Sequence, residues 1–442
     1  MTNFVNIKTV FTSDADRTLE ILEELYDNHS QLVKWIEELT LVNLPETAVK
    51  DKQVLLKPNW VSHNRKETDE VCLRTHDNFL LAALEMVLRK KPASVLIGDA
   101  PVQGCDWDKM CRPNFIQKVE ELSAFYQVPV KIKDFRRVTF DPSKNNLTTE
   151  RNALSDYLIF DLGKDSCLEP ISSKKSIFRV LDYDPSRLAV SHTIGIHKYC
   201  ITKELFKADV VISLPKIKTH QKTGITVALK NIVGLNGDKD FLPHHRVGGL
   251  NDGGDCYPGN NILRRGAEWA LDNANRQQGK YKYWLWRTTA RVFWRLTIHQ
   301  KTHNLGAGWY GNDTCWRMVM DLNKIVIFGR NDGIIADEPQ RQLYSLCDGI
   351  IGGQGDGPLK PDPLPLGIIS FTNNSAMNDI GMGILMGFDI QKISLLKNAF
   401  FNIRGQKIDL RVNGNKIDLY DLERFSTPTT PPPGWVEHLS KK

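Results

Sequence analysis

The chain has 442 residues, 41% of them hydrophobic and 25% charged, with a formal net charge of +6. That is an ordinary soluble balance, with apolar sequence for one large domain or two to three smaller ones. The mild positive charge, without an aromatic-basic RNA motif or a helix-turn-helix signature, does not argue for nucleic acid. Eight cysteines lie scattered without a C-x-x-C pair, which excludes the usual zinc and ferredoxin spacings and makes an iron-sulfur cluster unexpected.

The N-terminal residues have no apolar core of signal-peptide length, and no later run reaches about eighteen uncharged apolar residues, so a reducing cytoplasm is the expected address. Residues 1–50 are expected to form a helical cover, with one or two amphipathic helices from Asp14 to Leu39. The strand Val54–Leu56 follows, and polar groups come directly after it: Lys57, Asn59, Ser62 and His63. A helix over Asp77–Arg89 and a strand over Ala93–Ile97 complete a βαβ unit, which sets a parallel sheet. Asp99 then stands at a strand C-terminus, where a carboxylate can serve as base, metal ligand or turn cap. A helix over Asn114–Phe125 and a strand over Val128–Ile132 continue the alternation, and residues 134–185 are expected as an inserted β-rich flap. His192 and His197 precede the central strand and are expected to close over a cleft.

The stretch from Ala208 to Gly259 organises the rest. Val210 to Leu214 is a short apolar run that fits a strand covered on both faces, and Lys216, Lys218, His220, Gln221 and Lys222 follow as a predicted loop at its carboxyl end. Ligands of open α/β sheets sit at that end. From Ile225 to Gly234 the spacing predicts a helix, capped by Thr219 or Thr223, whose free N–H groups would join the lysines in an anion cradle. Lys230 lies inside that helix, and His244, His245, Arg246 and the glycine-rich GGLNDGG follow. Any one of these residues alone is most simply a solvated loop residue; their accumulation is what points to a ligand.

Residues 261–310 are expected as a helical arm. Trp284, Leu285, Val292, Phe293 and Leu296 recur at helical spacing, so the arm should pack on the domain or on a second copy, with 281–299 as the homo-oligomer contact. Membrane-surface contact is the lesser reading. Residues 311–425 are expected to complete the core that residues 51–260 begin. They offer Asn312 ahead of a helix, the glycines Gly352, Gly353, Gly355 and Gly357 for backbone approach to a ligand, and a strand over Leu366–Phe371 leading to a helix with Asp379. A hairpin with an Asn-Gly turn precedes a proline-rich tail at 426–442.

The motifs LLKPNW, IGDAPVQGCDWDK, SLPKIKTHQKTGITVALKNIVGLNGDKDFLPHHR, GNDTCWR and DGIIGGQGDGPLKP together resemble the bacterial and archaeal family called "domain of unknown function 362", in the right order over roughly residues 50 to 400. Some members of that family carry a ferredoxin module, whose cysteine run this chain lacks. The lysines and histidines after a strand are also similar, more distantly, to the N-terminal half of nickel-dependent lactate racemase, where such residues hold a pincer cofactor.

The expected fold is therefore α/β, a mostly parallel sheet flanked by helices with a β-rich insertion and a helical Trp-rich arm. The expected function is binding of a small anionic substrate, a carboxylate or phosphate, in a basic cleft, with chemistry of an isomerase or transferase kind. In that reading Lys57, Asn59, Lys216, Lys218, Lys222, His245, Arg246 and Asn312 bind the substrate, while His220, His244, Asp99 and Lys230 are catalytic. A metal variant places His220, His244, His245 and Asp99 around one divalent ion. The alternatives are a racemase- or epimerase-like enzyme dependent on a metal or nickel pincer, and a non-enzymatic scaffold of a surface-polysaccharide or electron-transfer pathway.

Overall fold

The computed structural model describes residues 3–11, 13, 17–297 and 306–439. Asp14, where the first predicted helix begins, and residues 298–305 of the predicted arm lie outside that set.

Twelve strands make one sheet: β1 (Asn3–Thr9), β2 (Gln53–Pro58), β3 (Ser94–Asp99), β4 (Val130–Asp134), β5 (Val210–Leu214), β6 (Lys216–His220), β7 (Gly224–Thr226), β8 (Gln342–Asp356), β9 (Lys360–Leu364), β10 (Ile368–Thr372), β11 (Ile408–Val412) and β12 (Asn415–Lys416). Across the sheet the order is β12, β11, β1, β10, β8, β5, β2, β3, β4, with β6 and β9 beside β8 and β7 beside β6. Strands β8, β5, β2, β3 and β4 run parallel, and β10 is antiparallel to β8 and β1. The chain is thus mixed α/β with a mostly parallel sheet, as the alternation of apolar runs and helical spacing predicts.

Side chains alternate across the strands, and each face has its own core. Phe4, Val54, Leu56, Ile97, Ile212 and Leu214 face one side, against the helices Leu19–Asp27, His29–Thr40 and Asp77–Leu88. Val5, Leu55, Val211 and Ile217 face the other, against Cys315–Phe328, Ser375–Leu385 and Ser394–Ile403. Truncating one of these fully buried leucines to alanine removes about 2–5 kcal/mol.

Three expectations need correction. Residues 1–50 are not only a helical cover: β1 sits inside the sheet, between β10 and β11, with Phe4 turned into one core and Val5 and Ile7 into the other, as in a strand covered on both faces. Residues 216–220 are not a loop but β6, which leaves the line of β5 at Pro215 and pairs with β8. Nor is 225–234 one helix. The β-branched run Ile225-Thr226-Val227 favours extended backbone, so β7 pairs antiparallel with β6, and only Ala228–Asn231 is α-helical before a 3-10 turn at Ile232–Leu235.

The glycines of β8, and Gly357 directly after it, follow from β6. A Cβ at Gly349 would fall 2.5 Å from Ile217, one at Gly353 2.9 Å from the Lys218 side chain, and one at Gly357 2.1 Å from the Thr219 carbonyl. These glycines seat the lysine-bearing strand rather than approach a ligand.

The insertion holds a hairpin (Val138–Asp141 with Leu147–Glu150) and a strand Tyr157–Asp161 that pairs with Ile196–Thr202. The arm is a helical hairpin, Ile262–Asn275 and Lys282–Arg295, closed by Trp269 against Trp286 at 5.0 Å. Trp284, Leu285, Val292 and Leu296 are exposed on it, and residues 298 and 299 of the expected contact lie outside the described set. Among the described residues no helix is long and apolar enough to cross a membrane.

Candidate functional site: a buried lysine cluster

The register of the parallel strands brings their carboxyl ends together. Leu56 of β2 pairs with Ile97 of β3, and Ser213 of β5 pairs with Lys57, so Lys57, Asp99 and the end of β5 are neighbours. The Lys57 ammonium is 2.8 Å from Asp99 Oδ1, and it also donates to the Pro58 carbonyl at 2.9 Å and to Asn231 Oδ1 at 3.2 Å. Asp99 accepts two further bonds, from the amides of Ala100 (2.8 Å) and Trp60 (2.7 Å). Both carboxylate oxygens are therefore engaged, and Asp99 acts as counter-charge and anchor for Lys57. Asn231 completes the knot, donating to Ser213 Oγ at 2.8 Å and accepting from Asn59 Nδ2 at 3.0 Å. Gly234 closes over it, since a Cβ there would fall 1.7 Å from Asp99 Oδ1.

Around this knot lie four more lysines: Lys218, Lys230 and Lys239 are buried, and Lys222 is half-buried. Lys218 donates to the Leu73 carbonyl, Lys222 to the Gly306 carbonyl and Lys239 to the Ala100 carbonyl at 3.2 Å. None of the four forms an ion pair among the described residues. Burial lowers all their pKa values, bringing Lys218 to about 7 and Lys239 to about 8. Lys230 is the common neighbour, close enough to depress the pKa of Lys57, Lys218, Lys239, His220 and His244.

Burial and these lysines hold both histidines neutral. His220 Nδ1 accepts the Lys222 amide at 3.0 Å, which leaves the proton of a neutral ring on Nε2. His244 Nδ1 lies 2.7 Å from the Leu242 carbonyl and must donate to it, which leaves the lone pair on Nε2. One imidazole thus offers a donor and the other an acceptor. Asn312 holds the second in place, donating to the His244 carbonyl at 2.9 Å and accepting from the Thr314 and Cys315 amides at 3.1 and 2.8 Å.

Other predicted site residues are elsewhere. Lys216 is closed in a buried pair with Asp348 at 2.9 Å, beside the Tyr26 hydroxyl at 3.0 Å. Arg246 faces Asp255 at 3.6 Å. His245 turns away from His244, as successive residues of extended chain do, toward Cys256 and Glu268. The set His220, His244, His245 and Asp99 is accordingly not gathered around one point, and the oxygens of Asp99 are already occupied. The helix N-terminus at Ala228 is not a free anion cradle either, because Asp379 accepts the amides of Ala228 and Leu229, both at 2.9 Å. His192 and His197 do not close over the lysines: they face each other at 3.3 Å, and His197 meets Glu169 at 3.1 Å within the insertion.

Sequence reasoning missed Asn231 and Lys239. Both lie in the singled-out stretch, and the signal was an amide directly after Lys230 and a lysine between two aspartates, Asp238 and Asp240. Two cavities lie apart from the cluster. One of about 250 Å³, lined by Gln53, Ser94, Lys131 and Lys207, is at the amino-terminal edge of β2 and β3. Another, of about 260 Å³, is lined by Glu70, Asp77 and Arg112, whose charges already pair at 2.7 Å.

Residues 147–381, more than half of the chain, match the family described as Domain of unknown function (DUF362). The chain belongs to that family. The matched range holds the four unpaired lysines and both neutral histidines, whereas Lys57 and Asp99 reach the DUF362 region from outside it. A crystal structure of a Thermotoga maritima protein is similar at 10% identity and a TM-score of 0.32, over 81% of this chain and 56% of that one, so this chain spans little more than half of its length. No curated protein matches the chain.

Proposed function

We propose that this DUF362 protein is an enzyme that binds a small anion, a carboxylate or phosphate, on Lys218, Lys222, Lys230 and Lys239, and that His220 and His244 move a proton on the bound molecule. The observation that carries the reading is that the buried Lys218, Lys230 and Lys239 and the half-buried Lys222 have no carboxylate partner among the described residues. A buried charge lacking its partner costs several kcal/mol, and a bound anion supplies that partner. The opposite tautomers of the two imidazoles suit general acid and base roles at neutral pH, His220 Nε2–H as donor and His244 Nε2 as acceptor. This favours proton transfer of an isomerase kind. Lys57 and Asn59 belong to the wall of the site through Asn231. Burial of the cations argues against a scaffold protein, which would offer a shallow basic face. Eight free thiols, seven of them buried, suit the cytoplasmic address that belongs to this reading.

Calorimetric titration with inorganic phosphate and with acetate tests it. One anion per chain is expected, lost in Lys218→Met and Lys230→Met while the free proteins melt no lower than the parent. His220→Asn is expected to retain binding. Equal binding by parent and Lys230→Met, or collapse of the lysine variants, would overturn the proposal.

A further inference from the structure

His245, Cys256 and Glu268 come from three separate places, the short strand His245–Arg246, the glycine-rich loop after it, and the helix Ile262–Asn275. All three are buried, at 4%, 4% and 6% exposure, and one ligand atom of each lies within 4.8 Å of the others. They are the sole such group of His, Cys, Asp or Glu among the described residues. His245 Nδ1 is buried with no hydrogen-bond partner, which a folded protein rarely leaves uncompensated.

The loop is built to hold this arrangement. The Cys256 amide donates to the Gly248 carbonyl at 3.0 Å, and the Asp255 amide to the Arg246 carbonyl at 3.3 Å. Gly254 makes the fold-back feasible, since a Cβ there would fall 2.3 Å from the carbonyls of Val247 and Gly248. Gly248, at φ +90°, turns its amide onto both oxygens of Glu268, at 3.2 and 3.1 Å. That contact orients the carboxylate as outer-shell partners orient metal ligands.

We propose that His245, Cys256 and Glu268 bind one zinc ion. An imidazole nitrogen, a thiolate and a carboxylate are the donors zinc takes, at about 2.0–2.3 Å, and a modest inward shift of the side chains brings all three to that distance. Thiolate and carboxylate together cancel the two charges of the ion, so the loaded site is neutral and tolerates burial. Three protein ligands leave a fourth position for water or another small molecule, the arrangement of a reactive rather than a closed structural site. Lys222, whose charge reaches His245 and Cys256 as well as His220 and His244, is the neighbour shared with the lysine cluster.

The test is a titration of chelator-treated full-length protein with cobalt(II) as a coloured stand-in, followed by zinc. The expected result is a cobalt–thiolate charge-transfer absorption that saturates at one ion per chain and is displaced by zinc. Cys256→Ser is expected to abolish the absorption. Glu268→Gln is expected to weaken cobalt binding by at least about 10–100-fold, the loss that even outer-shell changes produce. Absence of the thiolate band in the unmutated protein, which needs no variant to fold, would overturn the proposal, as would its survival in Cys256→Ser. Lys230→Met should leave the band intact, which separates this result from the fate of the anion reading.

Discussion

Lys216 and Lys218 stand two residues apart on β6, both fully buried, yet their surroundings differ. Lys216 lies opposite Asp348 of β8 and forms a 2.9 Å ion pair with it, and the same carboxylate accepts the Tyr26 hydroxyl at 2.6 Å and the His76 amide at 3.0 Å. The register then shifts, and Lys218 lies opposite Gly353, which has no side chain to answer it. The first lysine is part of the scaffold. The second, with Lys230, Lys239 and the half-buried Lys222, is an amine that the fold leaves without a carboxylate partner, and a group of that kind is what an anionic ligand completes.

Four experiments press on this contrast, from the largest expected effect to the smallest. Replacing Lys216 by Met leaves Asp348 buried with its ammonium gone, so urea unfolding should show a loss of about 3–5 kcal/mol. The second is Gly234→Ala, which forces a methyl into the Lys57–Asp99 contact. Overpacking of this kind costs about 1–3 kcal/mol, and anion titration of the surviving folded protein should show weakened binding.

The third uses pH. Lys218 titrates at about 7 and Lys239 at about 8 in the folded chain, against 10.5 when unfolded, so above pH 7 the unfolded chain holds protons that the folded one lacks. Stability of the anion-free protein should therefore rise with pH from about 7 toward 10, while anion affinity falls over the same range as the ammoniums are lost. Chemical denaturation and calorimetry along one pH series would read both trends; parallel trends would contradict the unpaired state of these lysines. The smallest effect is that of Lys230→Met, whose melting temperature should hold or rise slightly because removing an unanswered buried charge relieves the fold. If Lys230→Met destabilises as much as Lys216→Met, the two regions are alike and the contrast fails.

Much of the site could be read from the chain because local chemistry placed it. Lys57 and Asp99 were legible as polar residues directly after apolar strands, and the register of β2 and β3 sets them 2.8 Å apart. The lysines of β6 were legible as a group, but not which of them is paired. Asp348 is 132 residues from Lys216, and no local signal links them. In sequence His244 reads as catalytic and His245 as substrate-binding in one cleft, and only the extended backbone between them sends one to the lysines and the other to Cys256 and Glu268.

The sequence by itself determined the alternation of buried strands and amphipathic helices, hence a parallel sheet with its polar groups at the strand tips, because periodicity and turn residues act over a few neighbours. Tertiary structure decided which charges are answered. A helix N-terminus that looked free is occupied by Asp379, a glycine run that looked like a ligand loop seats a strand, and a chain start that looked like a cover lies inside the sheet. Each depends on a partner far along the chain, and such pairings form only when the layers close.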